Sequence, residues 1–283
     1  LFYKDGLIRR DHTATVISYG DGMQKRLLVN GIGTTELTQI TKVMAHMPLA
    51  FYQSKPKSAL VICFGMGTTY RSMLSWNIKS TAVELVPSVK NAFGYYFNDV
   101  ELLLKNPNGR IIIDDGRRFL KRTAETFDVI TVDPPPPVEA AGSSLLYSKE
   151  FYELAKTRLS KGGILQQWFP GGEIKILQAV TGSLVEVFPY VKIYRSLEGW
   201  GFHFIASMST IETPTIDDMI LRLPESAKED LLEWSSDKNL RKFLSKMLSV
   251  KIPAQAILTD DKIAPITDDR PYNEYFFLRR LRD

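Results

Sequence analysis

The chain has 283 residues, 44% hydrophobic and 24% charged, enough for one sizeable domain with an appendage or two small domains. Its net charge of +4 is spread along the chain, with no dense basic run before the closing LRRLRD, which argues against nucleic-acid binding. One cysteine and three histidines exclude an internal disulfide and leave no zinc-type ligand spacing, so no metal is expected. Cys63, inside the apolar ALVICFG, reads as a buried small hydrophobe in a reducing compartment. No run of about 18 apolar residues could span a membrane, and no signal peptide is visible. The sequence starts at Leu1 rather than Met, which leaves room for an upstream membrane segment. The expected location is cytoplasmic, free or as the cytoplasmic part of a membrane-anchored protein. A homo-oligomer stays open.

In chain order, HTATVISYG alternates apolar and polar residues, DG marks a turn, and MQKRLLVNG returns. Residues 1–34 therefore read as a small β-strand unit. In TELTQITKVMAHMPLA, Leu37, Ile40, Val43, Met44 and Met47 recur at helical spacing, and Pro48 is expected to end that helix. Strands then alternate with helices. SALVICFG, STAVEL, RIIIDDG, FDVITVD and GGILQQWF read as strands, each followed by a helical segment. VKIYRS and WGFHFIAS close as a final pair. Short apolar strands alternating with helices predict a parallel sheet covered on both faces, with ligands at the carboxyl ends of its strands. The fold class is thus α/β, a Rossmann-like, methyltransferase-type doubly wound sheet over 35–206. A helical C-terminal extension over 207–283 promises little beyond packing.

Three strand ends carry chemistry. Gly65 and Gly67 lie between strand and helix, where glycine lets backbone approach a ligand or simply makes a tight turn. Glu84 ends the next strand, where an acid accepts hydrogen bonds from both hydroxyls of a ribose. Asp114, Asp115 and Gly116 end the third; Asp115 can face an adenine amino group or cap the following helix. Together they predict an S-adenosylmethionine site. The fourth strand delivers Asp133 and then four prolines, Pro134 to Pro137, which stiffen the loop after the acid.

These segments, in this order and spacing, resemble the spermidine synthase-like family over roughly residues 13–206, closest to bacterial members often fused behind membrane-spanning segments. The resemblance implies nucleoside contacts from Gly65, Met66, Gly67, Glu84, Leu85, Asp115, Gly116, His46 and Pro134, and a catalytic base at Asp133. The departures matter as much. The second acid of the family's Asp-Ser-Ser-Asp-Pro loop is Pro136 here, the acid of its glycine loop is Met66, and its glutamine after Asp-Gly is Thr34. The tyrosine and glutamate of the helix before His46 are Ile40 and Lys42. A diamine carries two positive charges and needs acids to hold it.

With those acids lost, the expectation is that intact S-adenosylmethionine closes on itself. Its carboxylate would attack its own γ carbon, releasing methylthioadenosine and homoserine lactone, with Asp133 holding the ammonium. The alternatives are aminopropyl transfer to an amine, methyl transfer, or a non-catalytic nucleoside-sensing domain. DPPP resembles the Asp-Pro-Pro-aromatic loop of amino-group methyltransferases, with Pro136 where the aromatic would stand. Trp200 is a weaker candidate for the site wall and Tyr147 or Tyr152 for reaching the methionyl arm, with core and helix packing as the simpler readings, and His203 reads as a core histidine.

Overall fold

A computed structural model describes residues 6–135 and 137–274, the side chain of Thr34 excepted. The first strands, β1 (Leu7–Arg10), β2 (Thr15–Tyr19), β3 (Arg26–Val29) and β4 (Ile32–Glu36), form an antiparallel sheet in that order. Helix α1 (Gln39–Phe51) follows. The alternation then runs β5 (Ser58–Ile62), α2 (Thr68–Leu74), β6 (Lys79–Glu84), α3 (Pro87–Asn91), α4 (Phe93–Tyr96), α5 (Val100–Leu104), β7 (Gly109–Ile113), α6 (Gly116–Arg122) and β8 (Phe127–Val132). It continues through α7 (Lys149–Lys156), β9 (Leu159–Phe169), α8 (Ile174–Val187), β10 (Tyr190–Arg195) and β11 (Phe202–Ser207). The extension supplies α9 (Ile216–Arg222), α10 (Glu225–Leu232), α11 (Leu240–Leu248), β12 (Lys251–Ile252) and α12 (Ala254–Ile257).

The second sheet has the order β12-β10-β11-β9-β8-β5-β6-β7. Strands β5 to β9 pair in parallel, and β10, β11 and β12 are antiparallel additions. Strand order reverses at β5, between β6 and β8, the switch point at which such sheets open a crevice for ligand. The extension is not wholly helical, because β12 pairs with β10 at the sheet edge.

Alternate residues of each strand feed two cores. Ala59, Val61, Val129 and Ile164 face the side of α1 and α2, while Leu60, Ile62, Ile130 and Leu165 face the side of α6, α7 and α8. Such all-apolar strands are what a sheet covered on both faces requires.

Pro48 does not end α1. The helix runs one turn further, to Phe51, and Tyr52 N–H closes it on the Pro48 carbonyl. Proline has no N–H for the Met44 carbonyl, but Thr131 Oγ1 on β8 donates to that oxygen at 3.0 Å. A strand hydroxyl thus makes the proline tolerable in the last turn. The helix expected after β6 is broken into α3 and α4, and α5 was not expected.

Candidate active site

The glycine loop follows β5 through a strained turn. Cys63 has φ 72, a left-handed value uncommon for a side-chain-bearing residue, and Gly65 and Gly67 have φ 55 and 86. At Gly67 a Cβ would lie 2.4 Å from the Phe93 ring and 2.6 Å from the Phe64 ring, so close packing as well as φ demands glycine. At Gly116 a Cβ would come within 2.4 Å of Ile62 Cγ2, so α6 can sit on β5 only without one. At Gly65 a Cβ would meet only Thr35 Cγ2 of β4, at 3.6 Å.

Three acids line the carboxyl edge of the sheet. Ile62 pairs with Val83 and with Val132, so Cys63, Glu84 and Asp133 fall at the same level across β6, β5 and β8. Asp133 N–H continues the ladder to the Ile62 carbonyl at 3.1 Å. Glu84 is buried and grips the loop: Oε2 accepts from Phe64 N–H at 2.9 Å and Gly65 N–H at 3.4 Å, and Oε1 from Val86 N–H at 2.9 Å. Burial raises its carboxyl even against those bonds. Asp115 caps α6, accepting from Arg118 N–H at 2.8 Å. Burial, then the charges of Glu84, Asp133 and Asp115, push the Cys63 thiol well up, which marks the point on which the acids converge.

Asp133 stands apart from the others. No hydrogen bond to its carboxylate forms among the described residues, and burial alone raises it to about 7. Pro134 beside it is buried, and Leu85 is 54% exposed at the rim. Pro136 lies outside the described residues, as does the Thr34 side chain. The register Val132 with Gln167 sets Trp168 beside Asp133, and Trp200 meets Trp168 edge to face at 5.5 Å. Tyr147 is fully buried with its hydroxyl unpartnered, whereas Tyr152 donates to Gln167 Oε1 at 3.3 Å. His203 is a core residue, as expected, with burial lowering it to about 3. Glu84, Asp115 and Asp133 make this edge acidic, and the neighbouring Arg117 and Arg118 are paired with Asp268 and Asp114.

Two expected contacts are corrected. Met66 is 3% exposed and packs in the core on the α2 side, so its side chain does not line the crevice. His46 is also buried, and both ring nitrogens are committed. Trp76 Nε1–H donates to Nδ1 at 2.9 Å, and Nε2 donates to Asp230 Oδ2 at 2.8 Å. Burial lowers its proton affinity against the pull of Asp230, and the bond accepted from Trp76 at Nδ1 places the ring proton on Nε2. Lys42, one turn earlier, is wholly buried and reaches Asp230 Oδ1 at 2.9 Å and Glu233 Oε2 at 2.7 Å. The basic residue at a position where the resembling family has an acid is therefore matched by acids on and just past α10. That signal was invisible in α1 alone, because the partners lie more than 180 residues away in sequence.

The comparisons agree on this fold. Residues 38–206 match the family model described as spermine/spermidine synthase domain. A polyamine aminopropyltransferase of Sulfurisphaera tokodaii is 32% identical over 166 residues, 55% of this chain and 54% of that protein. One of Thermoplasma volcanium is 29% identical over 170 residues, 57% of this chain and 62% of that protein. The chain thus matches about half the length of these curated relatives. The crystal structure of spermidine synthase from Thermotoga maritima superposes with a TM-score of 0.65 at 18% identity, covering 89% of this chain and 86% of that one.

These findings overturn the expected self-cleavage. The matched relatives are named for aminopropyl transfer, and an edge lined by acids disfavours a substrate bearing its own carboxylate. Among the described residues no helix is long and apolar enough to cross a membrane, so the membrane-associated expectation gains nothing from them. Fold order, strand-end acids and the match over residues 38–206 converge, and the chain belongs to the spermine/spermidine synthase family.

Proposed function

We propose that this chain is an aminopropyltransferase, moving the aminopropyl group of decarboxylated S-adenosylmethionine to an amine. The observation that carries the reading is Asp133, an acid at the switch-point edge whose burial raises it to about 7. An acceptor amine is protonated below about pH 10 and is no nucleophile until it loses that proton. A carboxylate poised near 7 is a better base at neutral pH than an ordinary aspartate.

Glu84 and Asp115 have the positions to hold the ribose and adenine of the donor, with Gly65, Gly67 and Gly116 letting backbone come close. The freed amine attacks the aminopropyl carbon next to the sulfonium. A C–N bond forms, the C–S bond breaks, and its electron pair returns to sulfur. Methylthioadenosine leaves as a neutral thioether, and the proton passes to Asp133. A donor without a carboxylate suits an edge that carries Glu84, Asp115 and Asp133 and whose neighbouring Arg117 and Arg118 are already paired.

The test is product analysis by mass spectrometry with decarboxylated S-adenosylmethionine and putrescine. Methylthioadenosine and spermidine in equal amounts are expected. Methylthioadenosine formed at the same rate without an amine would count against transfer.

A further inference from the structure

The resembling family holds its acceptor with a second acid three residues after the first, and Pro136 stands there in this chain. The same loop carries another acid. Glu139 lies in a turn closed by Ala140 N–H on the Pro137 carbonyl at 3.0 Å. That turn is pinned from behind. Ser143 Oγ and Asn273 Nδ2 donate to the Val138 carbonyl at 2.6 and 2.5 Å, and Ser144 N–H donates to Glu274 Oε1 at 3.1 Å. Its front faces the loop after β9. A Cβ on Gly172 would lie 3.5 Å from Glu139 Oε1 and 3.8 Å from Val138 Cγ2, ordinary contact distances that set the acid directly against this loop.

Several independent features suit a cation between this acid and Asp133. Neither carboxylate has a hydrogen bond or ion pair among the described residues. The Tyr147 hydroxyl is fully buried and unpartnered. Burial and Tyr152 push that hydroxyl well up, and the nearby Asp133 and Glu139 add to the effect. Trp168 and Trp200 flank the edge at Asp133, and indole faces attract ammonium groups. Trp200 is 45% exposed, open to a ligand. Behind Trp168, at 4.8 Å, His203 adds no positive charge that would oppose one.

We infer that Glu139 replaces the missing second acid and holds the far ammonium of a diamine acceptor whose near amine is delivered to Asp133, with Trp168 and Trp200 walling the span between them. This rests on the transfer reading for its chemistry but not for its binding. The near nitrogen forms the new C–N bond and gives its proton to Asp133. Glu139 takes no proton and serves as a binding and specificity residue. A monoamine has nothing to offer it.

The test is calorimetric binding of putrescine and of n-butylamine to the whole chain saturated with methylthioadenosine, for wild type and Glu139→Gln. Wild type is expected to prefer putrescine about tenfold or more, the scale of a charge-assisted hydrogen bond. Glu139→Gln should lose that preference without changing n-butylamine affinity, and Glu139→Asp should recover part of it. Equal wild-type affinity for both amines, no binding of either, or a preference that survives in Glu139→Gln overturns the inference. Thermal melting of each variant separates loss of fold from loss of contact. Wild type that binds putrescine selectively yet never turns over the decarboxylated donor would defeat the transfer reading alone.

Discussion

Asp133 and Asp230 are both crowded by protein atoms, one half-buried at the carboxyl edge of the sheet and one buried between α1, α2 and α10. Burial pushes both toward the neutral form, yet they end on opposite sides of the ordinary range. Asp230 receives His46 and Ser72 at 2.8 and 2.6 Å and the charges of Lys42 and Arg71 at 2.9 and 2.8 Å. Those partners outweigh burial and hold its carboxyl well below the usual range. Asp133 has none of them and rises to about 7. A paired buried acid fastens elements together; an unpaired one is poised to take a proton from a ligand.

Replacing the unpaired acid should cost chemistry, and replacing the paired one should cost stability. Asp133→Asn is expected to lower kcat for amine transfer by about 100- to 10,000-fold, the range of a lost general base. Stopped-flow detection of methylthioadenosine checks this; a loss under threefold would remove Asp133 from the proton transfer. Asp230→Ala leaves Lys42 buried beside half of its counter-charge, and urea unfolding should show a loss of about 3–5 kcal/mol. Activity per folded molecule should stay close to wild type. A stable variant would mean that water or Glu233 takes over, and the network would then be ornamental.

The pH dependence sharpens the contrast. Asp133 has a folded-state pKa raised above its unfolded value. Its contribution to stability is therefore full below the unfolded value of about 3.9 and is lost as pH rises through about 7. Asp133→Asn should gain stability over wild type between pH 5 and pH 8, read from melting temperatures at each pH. Wild-type kcat/KM should fall as pH drops below about 7, and a profile flat from pH 6 to 8 would contradict the assignment. The smallest effect is expected at Thr131→Val, which leaves the Met44 carbonyl without its donor beside Pro48. It should cost about 1–3 kcal/mol in chemical denaturation, with kcat unchanged.

Much of the fold was legible, because apolar strands covered on both faces leave an unbroken signal and glycine and acid punctuate their ends. The positions of Glu84, Asp115 and Asp133 could be read from those ends alone. What could not be read is whatever depends on contact between distant segments. Lys42 in α1 looks like a broken motif until Asp230 and Glu233 come alongside it. His46 looks like a ligand contact until Trp76 and Asp230 take both nitrogens. Pro48 looks like a helix stop until Thr131 satisfies Met44. Glu139 stands outside every motif position, so nothing in the sequence sets it beside Tyr147 and the loop after β9 until the chain is folded. The extension beyond residue 207 looked like packing, yet its Asp230, Asp268, Asn273 and Glu274 brace both flanks of the site.

The central claim is that Asp133 deprotonates an acceptor amine for attack on a decarboxylated donor. Its most direct test offers wild type and Asp133→Asn an equimolar mixture of intact and decarboxylated S-adenosylmethionine with putrescine, and follows all products by mass spectrometry. The account predicts that wild type consumes only the decarboxylated donor, forms spermidine and methylthioadenosine together, and that Asp133→Asn forms almost none. Consumption of the intact donor to homoserine lactone or to S-adenosylhomocysteine, or equal spermidine from both proteins, would contradict it.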